Sequence, residues 1–256
     1  MASVKRKDLE IFLNKTLNIW DFNDYGPNGL QIEGTKEIKK VAFAVSATRA
    51  SVEKTVEWGA DALIVHHGLF WKFHVAKTIT KAFGKRVIPL VKNDVNLFGY
   101  HLPLDAHIEY GNAASIAMQI GMVDLEPFGD HKGSPTGVKG KFSDKINAAD
   151  LKKKLEGILN HDVIVACEND SEPMRSMGII TGGANSDWIN AYRENLDAYL
   201  TGEISEHDWH ESQESGVTFF AGGHNATEQF GVQSLQKLVE NEFGLETKYF
   251  PSENPA

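Results

Sequence analysis

The sequence predicts an α/β protein made of two similar α/β domains, each with a mainly parallel or mixed sheet flanked by helices. Apolar runs of strand length alternate with amphipathic segments of helical period in both halves of the chain. A shift of 136 residues lays segment 41–67 on segment 177–203 without a gap. With 256 residues, 41% of them hydrophobic, the chain is long enough to form two cores. These observations favour a pseudo-twofold duplication.

The first half has the pattern of a βαβαβ unit. An amphipathic helix is predicted within 1–18, and Thr48 stands where a helix N-cap is expected. Strands joined by crossover helices lie parallel in one sheet. The other predicted segments are strands 41–45, 62–65 and 96–100, helices 50–59 and 78–92, and a helix that Asn112 opens.

The second half repeats this order. We place the first domain at 1–125 and the second at 126–256, with the alternative that segment 223–256 packs back on the first domain. The predicted segments are strands 177–181, 197–201 and 217–221 and helices 186–195, 205–215 and 226–243.

Composition excludes several classes of protein. Acidic residues outnumber basic ones 35 to 26, for a net charge of −9, which argues against a bulk nucleic-acid-binding surface. Cys167 is the only cysteine, so any metal must be held by nitrogen and oxygen, and we expect Cys167 to be a buried small hydrophobe. We find no signal-peptide block or membrane span and expect no membrane partner and a reducing, cytoplasmic setting.

Histidines and carboxylates follow the predicted strands. His66-His67 ends an apolar run just before Gly68, and the C-terminal edge of a parallel strand is where α/β folds place their chemistry. A shift of 123 lays His101 and Asp105 on His224 and Glu228, so each half carries His-x-x-x-carboxylate after a strand. The candidate ligands are His66, His67, His101, Asp105, His224 and Glu228.

Each candidate also has a purely structural interpretation. Glu228 and Asn225 have the spacing of a helix capping box. Asp105 could cap a turn, and Pro103 favours a turn over a regular helix at this point. Taken together, six nitrogen and oxygen donors at strand ends suit a centre of two divalent ions.

Further residues stand near these strand ends. Glu203 falls on His67 under the shift of 136, and His210 lies in the next predicted helix; both are candidate proton-transfer or orienting groups, or polar surface residues. Phe70 and Trp71 either line a cleft or pack in the core. The glycines of 181–184 offer a weak phosphate-binding pattern.

Five motifs together resemble the NIF-three-like (YbgI-type) dinuclear metal proteins, often catalogued as GTP cyclohydrolase I type 2 homologues. The resemblance runs from near residue 8 to the carboxyl terminus. The motifs are Asn28-Gly29-Leu30-Gln31-Ile32-Glu33-Gly34, Gly59-Ala60-Asp61-Ala62-Leu63-Ile64-Val65-His66-His67-Gly68, Tyr100-His101-Leu102-Pro103-Leu104-Asp105-Ala106-His107, Thr201-Gly202-Glu203 and Gly223-His224-Asn225-Ala226-Thr227-Glu228.

The resemblance implies a NIF-three-like fold with two divalent ions between two related domains. It implies that His66, His67, Asp105, His224 and Glu228 are the metal ligands, with Glu228 as the bridge and His101 as a ligand or near neighbour. It also implies a homo-oligomer, a toroidal hexamer in many members. Ser46 stands where relatives often carry Asp, so the role of that Asp does not transfer.

Two ions of this kind predict hydrolysis of a small-molecule substrate. A divalent ion lowers the pKa of bound water toward about 7. The catalogue name implies a nucleotide such as GTP, with Glu203, His210 or His101 in catalytic roles. A broader metallohydrolase acting on phosphoesters or amides, and a non-catalytic metal-binding scaffold, remain alternatives. Iron, manganese, zinc and nickel all suit mixed nitrogen and oxygen donors.

Overall fold

The structure is a computed structural model that describes residues 2–255. The strands are β1 (Val4–Lys5), β2 (Gly29–Ile32), β3 (Glu37–Ile38), β4 (Lys40–Ser46), β5 (Ala62–His67), β6 (Asn96–Gly99), β7 (Met122–Phe128), β8 (Gly137–Ile146), β9 (Ile164–Ala166), β10 (Met174–Ile179), β11 (Ala198–Thr201), β12 (Thr218–Ala221) and β13 (Glu246–Tyr249). The α-helices are α1 (Arg6–Thr16), α2 (Arg49–Glu57), α3 (Lys81–Lys92), α4 (Leu102–Ala106), α5 (Asn112–Ile120), α6 (Ala148–Leu159), α7 (Trp188–Arg193), α8 (Glu206–Glu214), α9 (His224–Thr227) and α10 (Gln229–Phe243).

The chain packs into two units. The first extends to Leu104 and takes up Gly231–Ser252, and the second comprises Asp105–Phe230 and resumes at Glu253. The division therefore falls earlier than residue 125, because α5 packs its buried alanines into the core formed by β7 and β8. In the segment 223–256, only Gly231–Ser252 belongs to the first unit.

The first unit contains a five-stranded mixed sheet in the order β13-β4-β5-β6-β2. Strands β13, β4, β5 and β6 are parallel, and β2 joins the β6 edge antiparallel. Separate apolar clusters pack on it: one joins α1 and α10 to the sheet through side chains such as Leu13 and Leu235, and the other joins α2 and α3 through Val52 and Leu90. The sheet is therefore covered by helices, as predicted for this α/β class.

The second unit contains a six-stranded mixed sheet in the order β7-β8-β10-β11-β12-β9. Strands β10, β11 and β12 are parallel, while β7, β8 and β9 add antiparallel pairs at the two sides. The α/β class with mixed sheets is thus confirmed. Cys167 directly follows the edge strand β9 and is half-buried, so its predicted full burial is wrong.

The two parallel strand triplets share the same register. Val41 pairs with Ala62 in the first unit, and Met177 pairs with Ala198 in the second, which is the predicted shift of 136. Asp61 accepts from the backbone amides at 39 and 40, and Asp197 accepts from those at 175 and 176, again 136 residues apart.

The third strand corrects the second predicted shift. Ala62 pairs with Asn96, whereas Ala198 pairs with Thr218, so β6 and β12 correspond by 122 residues rather than 123. Under the shift of 122, His101 corresponds to Gly223, one residue before His224. Both strands are followed by two residues before the next helix, Tyr100-His101 and Gly222-Gly223, so His101 is the last residue before α4 whereas His224 is the first residue of α9.

Two local predictions need correction and one is confirmed. Asp105 lies in α4 rather than on a turn, because Pro103 occupies the first helical turn, where no amide hydrogen bond is lost. Helix α9 begins at His224 with Gly223 as its N-cap, so the Asn225–Glu228 capping box is not formed. Thr48 caps α2 as predicted.

Across residues 2–255, we find no helix that is both long enough and apolar enough to span a membrane.

Candidate metal centre

The His66-His67 pair forms the last two residues of β5, so the strand extends two residues beyond its predicted end. His66 is fully buried, and its Nδ1 lies 2.9 Å from the carbonyl oxygen of Tyr100. Because a carbonyl only accepts, Nδ1 carries the proton and Nε2 keeps its lone pair in the neutral ring. His67 pairs in register with Ser46 of β4, whose Oγ lies 2.9 Å from His67 Nδ1.

His101 follows β6 and is held by a buried carboxylate. Its Nδ1 lies 2.7 Å from Oδ1 of Asp24. Asp24 also accepts from Asn28 Nδ2 at 2.8 Å and from the Leu102 amide at 2.9 Å. Burial alone would raise the pKa of Asp24, but the hydrogen bonds from His101, Asn28 and Leu102 hold this pKa below its usual value. The carboxylate is therefore charged at neutral pH and orients the imidazole.

These three imidazoles form what we call the histidine cluster (His66, His67 and His101). One ring nitrogen from each lies within 4.8 Å of the others, and the ring centroids are 4.6 to 5.7 Å apart. An ion bound at about 2.1 Å by several nitrogens needs nitrogen separations of roughly 3 to 4 Å. The histidine cluster therefore has its nitrogens close enough together to be candidate ligands of one ion.

In the second unit, Asp105 is a buried carboxylate with a fixed orientation. Its Oδ1 accepts from Asn112 Nδ2 and from Thr181 Oγ1, each at 2.9 Å. Both groups donate to the same oxygen, so the carboxylate cannot rotate without breaking two hydrogen bonds. A carboxylate oxygen of Asp105 lies within 4.8 Å of one from the buried Glu228.

His224 joins these carboxylates, and we call Asp105, His224 and Glu228 the carboxylate cluster. His224 Nε2 lies 3.3 Å from Glu228 Oε1, and His224 Nδ1 lies 2.5 Å from Oε1 of Glu203. Burial opposes a charge on the ring, but the hydrogen bonds and ion pairs with Glu228 and Glu203 outweigh burial and raise the pKa of His224 to about 9. With no cation bound, the ring therefore carries the positive charge between the two carboxylates.

The glycine turn 181–184 packs against the carboxylate cluster. The amides of Gly182 and Ala184 donate to the hydroxyls of Thr227 and Thr201 at 3.1 and 3.3 Å. Gly182 has a φ of +72°, and a Cβ at this position would overlap Oε1 of Glu228. A close approach of backbone to carboxylate thus requires glycine here.

The proposed catalytic residues Glu203, His101 and His210 have different surroundings. Glu203 is half exposed and contacts the ring of His224, and His101 belongs to the histidine cluster. His210 lies on the exposed face of α8, with its Nε2 3.5 Å from Oε1 of Glu206 one turn earlier. The catalytic assignments of all three stay predictions.

Sequence reasoning missed Asp24 and the orienting function of Ser46. Asp24 lies four residues before Asn28, in a segment without strand or helix periodicity, so only the adjacent Asn28–Gly34 motif pointed to this region. Gln31 of that motif also has a structural function: its Oε1 accepts from the Leu69 amide at 2.9 Å, and its Nε2 donates to the Pro27 carbonyl at 2.8 Å.

Comparisons with known proteins identify the family of this chain. The chain is 39% identical over 250 residues to a protein of Haemophilus influenzae named GTP cyclohydrolase 1 type 2 homolog, covering 97% of this chain and 98% of the relative. It is 35% identical to the Escherichia coli K12 protein of the same name, covering 99% and 100%. A solved structure described as protein ybgI, of unknown function, superposes with a TM-score of 0.92 at 35% identity, covering 99% and 100%. The family described as Duf34/NIF3 (NGG1p interacting factor 3) matches residues 4–255, and the chain therefore belongs to that family.

Proposed function

We propose that this protein is a metal-dependent hydrolase that binds two divalent ions and acts on a nucleotide or a related heterocycle. The proposed ligands are His66, His67, Asp105, His224 and Glu228, as the family resemblance implies. The residue types fit such ions, since imidazole and carboxylate together suit iron, manganese, zinc and nickel.

One observation carries this proposal: in each of the candidate ligand histidines, Nδ1 is bound by an oxygen of the protein. The partners are the Tyr100 carbonyl for His66, the Ser46 hydroxyl for His67, Asp24 for His101 and Glu203 for His224. Metal-binding histidines characteristically use their second ring nitrogen in this way, because the bond fixes the tautomer and the ring orientation. With Nδ1 engaged in this way, Nε2 is the nitrogen that each ring would offer to an ion.

Other histidines of the chain differ in this respect. His161 has both ring nitrogens on backbone carbonyls, those of Asp162 and Pro255, at 2.6 and 2.9 Å. His107 accepts two backbone amides on Nδ1. These two rings form hydrogen bonds with backbone groups, so their surroundings differ from those of the proposed ligands.

The chain's own residues supply orientation and proton transfer. A bound divalent ion would supply an activated water and an electrophilic site for the substrate. Glu203 holds one nitrogen of His224 and is half exposed, so it is placed to exchange a proton with solvent. Asp24 fixes His101. We assign proton transfer first to Glu203 and His101 and second to His210.

GTP is the first substrate to test, because curated relatives that match nearly the whole chain carry the name GTP cyclohydrolase 1 type 2 homolog. The experiment is elemental analysis of protein purified without added metal, before and after reconstitution with manganese, zinc or iron, followed by a GTP turnover assay. We expect about two ions per chain and turnover that disappears in the His67→Ala and Glu228→Gln variants.

His207→Ala is the matched control, since this histidine is exposed and its ring contacts Asp208 of its own helix rather than a proposed ligand. It should keep both the metal content and the turnover. Fewer than one ion per chain after reconstitution would contradict the metal proposal. Two ions without turnover of GTP, simple phosphoesters or amides would favour the non-catalytic scaffold. A homohexamer in a cytoplasmic setting is part of the proposal, and sedimentation analysis of the purified protein tests the hexamer.

A further inference from the structure

We propose that three exposed or half-buried rings, Tyr25, Trp71 and Phe73, bind the planar ring of a purine beside the histidine cluster. We call these residues the aromatic cluster. The inference rests on the proposed function, because it names the part of the substrate that the protein would recognise there.

The aromatic cluster directly borders two of the imidazoles. The Trp71 ring centroid lies 5.0 Å from that of His101, at an interplanar angle of 84°, and 6.0 Å from that of His67. Tyr25 approaches His101 edge-on at 6.1 Å. A planar ligand on this surface would therefore have its ring a few ångströms from the proposed metal ligands.

The geometry within the aromatic cluster suits stacking. Trp71 and Phe73 are nearly parallel, with an interplanar angle of 20° and centroids 5.6 Å apart. Phe73 is 66% exposed and Tyr25 is 39% exposed, although burial of such rings is favourable. Tyr25 and His74 border the Phe73 ring edge-to-face, at centroid distances of 6.4 and 4.8 Å, and the exposed part of the ring is available to a ligand. Proteins stack nucleobases on exposed aromatic rings of this kind, whatever the base.

The segments that carry these rings are fixed to one another. The Lys72 amide donates to the Tyr25 carbonyl, and Lys72 Nζ donates to the Asp24 carbonyl, each at 2.7 Å. At Gly26 a Cβ would come within 2.5 Å of the Phe70 carbonyl oxygen, so the two loops approach as closely as glycine allows. The sequence left open whether Trp71 packs or lines a cleft, and these contacts favour a preorganised binding surface.

Asp24 links the aromatic cluster to the histidine cluster. Its carboxylate orients His101 and its carbonyl accepts from Lys72. Ring binding and imidazole orientation thus depend on the same short segment, which is what a site that positions a heterocycle for reaction at an ion requires.

The test is calorimetric binding of guanosine and adenosine to the full-length, manganese-loaded protein, with ribose 5-phosphate as a probe that lacks the ring. We expect both nucleosides to bind and ribose 5-phosphate to bind more weakly. Trp71→Ala and Phe73→Ala should each weaken nucleoside binding about tenfold, since stacking on an aromatic ring contributes roughly 1–3 kcal/mol per base. Phe73→Leu, which keeps an apolar side chain without a ring, should show the same loss.

Trp20→Ala is the matched control, because Trp20 is a 69% exposed tryptophan outside the aromatic cluster. Thermal unfolding and metal content should be unchanged in all variants. Unaltered nucleoside affinity in both Phe73 variants would overturn the proposal. So would preferential binding of ribose 5-phosphate, or a change of oligomeric state in Phe73→Ala without ligand, which would make these rings an interface between copies. Nucleoside binding without GTP turnover would support the aromatic cluster and contradict only the hydrolase.

Discussion

Asp24 and His101 are 77 residues apart in the sequence, yet the Asp24 carboxylate lies 2.7 Å from Nδ1 of the imidazole. The carboxylate is buried and also accepts from Asn28 and from the Leu102 amide, so its orientation does not depend on His101. The ring adapts to the carboxylate rather than the reverse. This makes Asp24 a positioning residue for the histidine cluster.

Replacement of Asp24 should therefore weaken metal binding without removing a ligand. We expect Asp24→Asn to lower metal affinity about 10- to 100-fold, the usual effect of losing the partner of a ligand histidine. Competition with a chromophoric chelator measures the affinity. Asp21→Asn, an exposed acid in the same segment, should leave it unchanged. Equal metal affinities for the Asp24 variant and the parent protein would show that Asp24 does not position His101 for metal binding.

Metal uptake by the carboxylate cluster should depend on pH. The pKa of His224 is raised to about 9, so the metal-free ring is protonated at neutral pH and an incoming cation must displace a proton. Affinity should rise with pH up to about 9 and then level off. Calorimetry in buffers of different ionisation enthalpy measures the released proton.

The metal-free protein should show the opposite trend in stability. Because the folded-state pKa of His224 lies above its ordinary value of 6.5, its contribution to the free energy of unfolding is complete below about pH 6.5. That contribution is lost as pH rises through about 9. In Glu203→Gln, one cause of the raised pKa is absent, so the loss of this stabilisation and the levelling of metal affinity should both occur at a lower pH, whereas the limit near pH 6.5 should not move. Superimposable pH profiles for the two proteins would contradict the assignment to His224.

Gly182→Ala should disturb the carboxylate cluster specifically. Gly182 has a φ of +72°, and an added methyl group would overlap Glu228. Gly216 has a φ of +75° with open space around it, so Gly216→Ala isolates the backbone cost of about 1–2 kcal/mol. In urea unfolding, we expect Gly182→Ala to lose more stability than Gly216→Ala, and only the former to lose bound metal. Retention of full metal content in Gly182→Ala would exclude the predicted overlap.

The two aspartates before the middle strands should have equivalent functions. Asp61 accepts from two backbone amides at 2.7 and 3.0 Å, and Asp197 accepts from two at 2.7 and 2.9 Å and from the Ser176 hydroxyl at 3.0 Å. Asp61→Asn and Asp197→Asn should each cost about 1–3 kcal/mol of unfolding free energy. The Asp197 variant should lose more, and Ser176→Ala should remove the difference. A neutral effect at either position would argue against a shared function.

Periodicity predicted the parallel triplets well because they are buried on both faces. The apolar runs around Val41, Leu63 and Leu200 have no other stable placement, and the shift of 136 matches the observed register. Strands β7 and β8 could not be predicted in this way. Their burial is irregular, and β7 contains Pro127 and a residue with positive φ, Asp124, both unusual in a regular strand.

The candidate site was predictable where ligand-type residues follow strands, as with His66 and His67. The supporting residues were not, because hydrogen bonds such as Asp24–His101 and Thr181–Asp105 join segments 76 or 77 residues apart. No local pattern records such a pairing. The shift of 123 came from matching His101 with His224 in the sequence, whereas the strand pairing relates β6 to β12 by 122 residues. Matching residue types alone could not give this register.

The common register of the two strand triplets has a consequence for the ligand atoms that the two halves offer. The ladders and the aspartates that anchor them coincide up to the tips, where one half carries an imidazole at His67 and the other a carboxylate at Glu203. The same backbone frame therefore carries a nitrogen donor in one half and an oxygen donor in the other. The sheet register fixes where a tip side chain stands, and the residue type at that tip fixes which kind of ligand atom it offers.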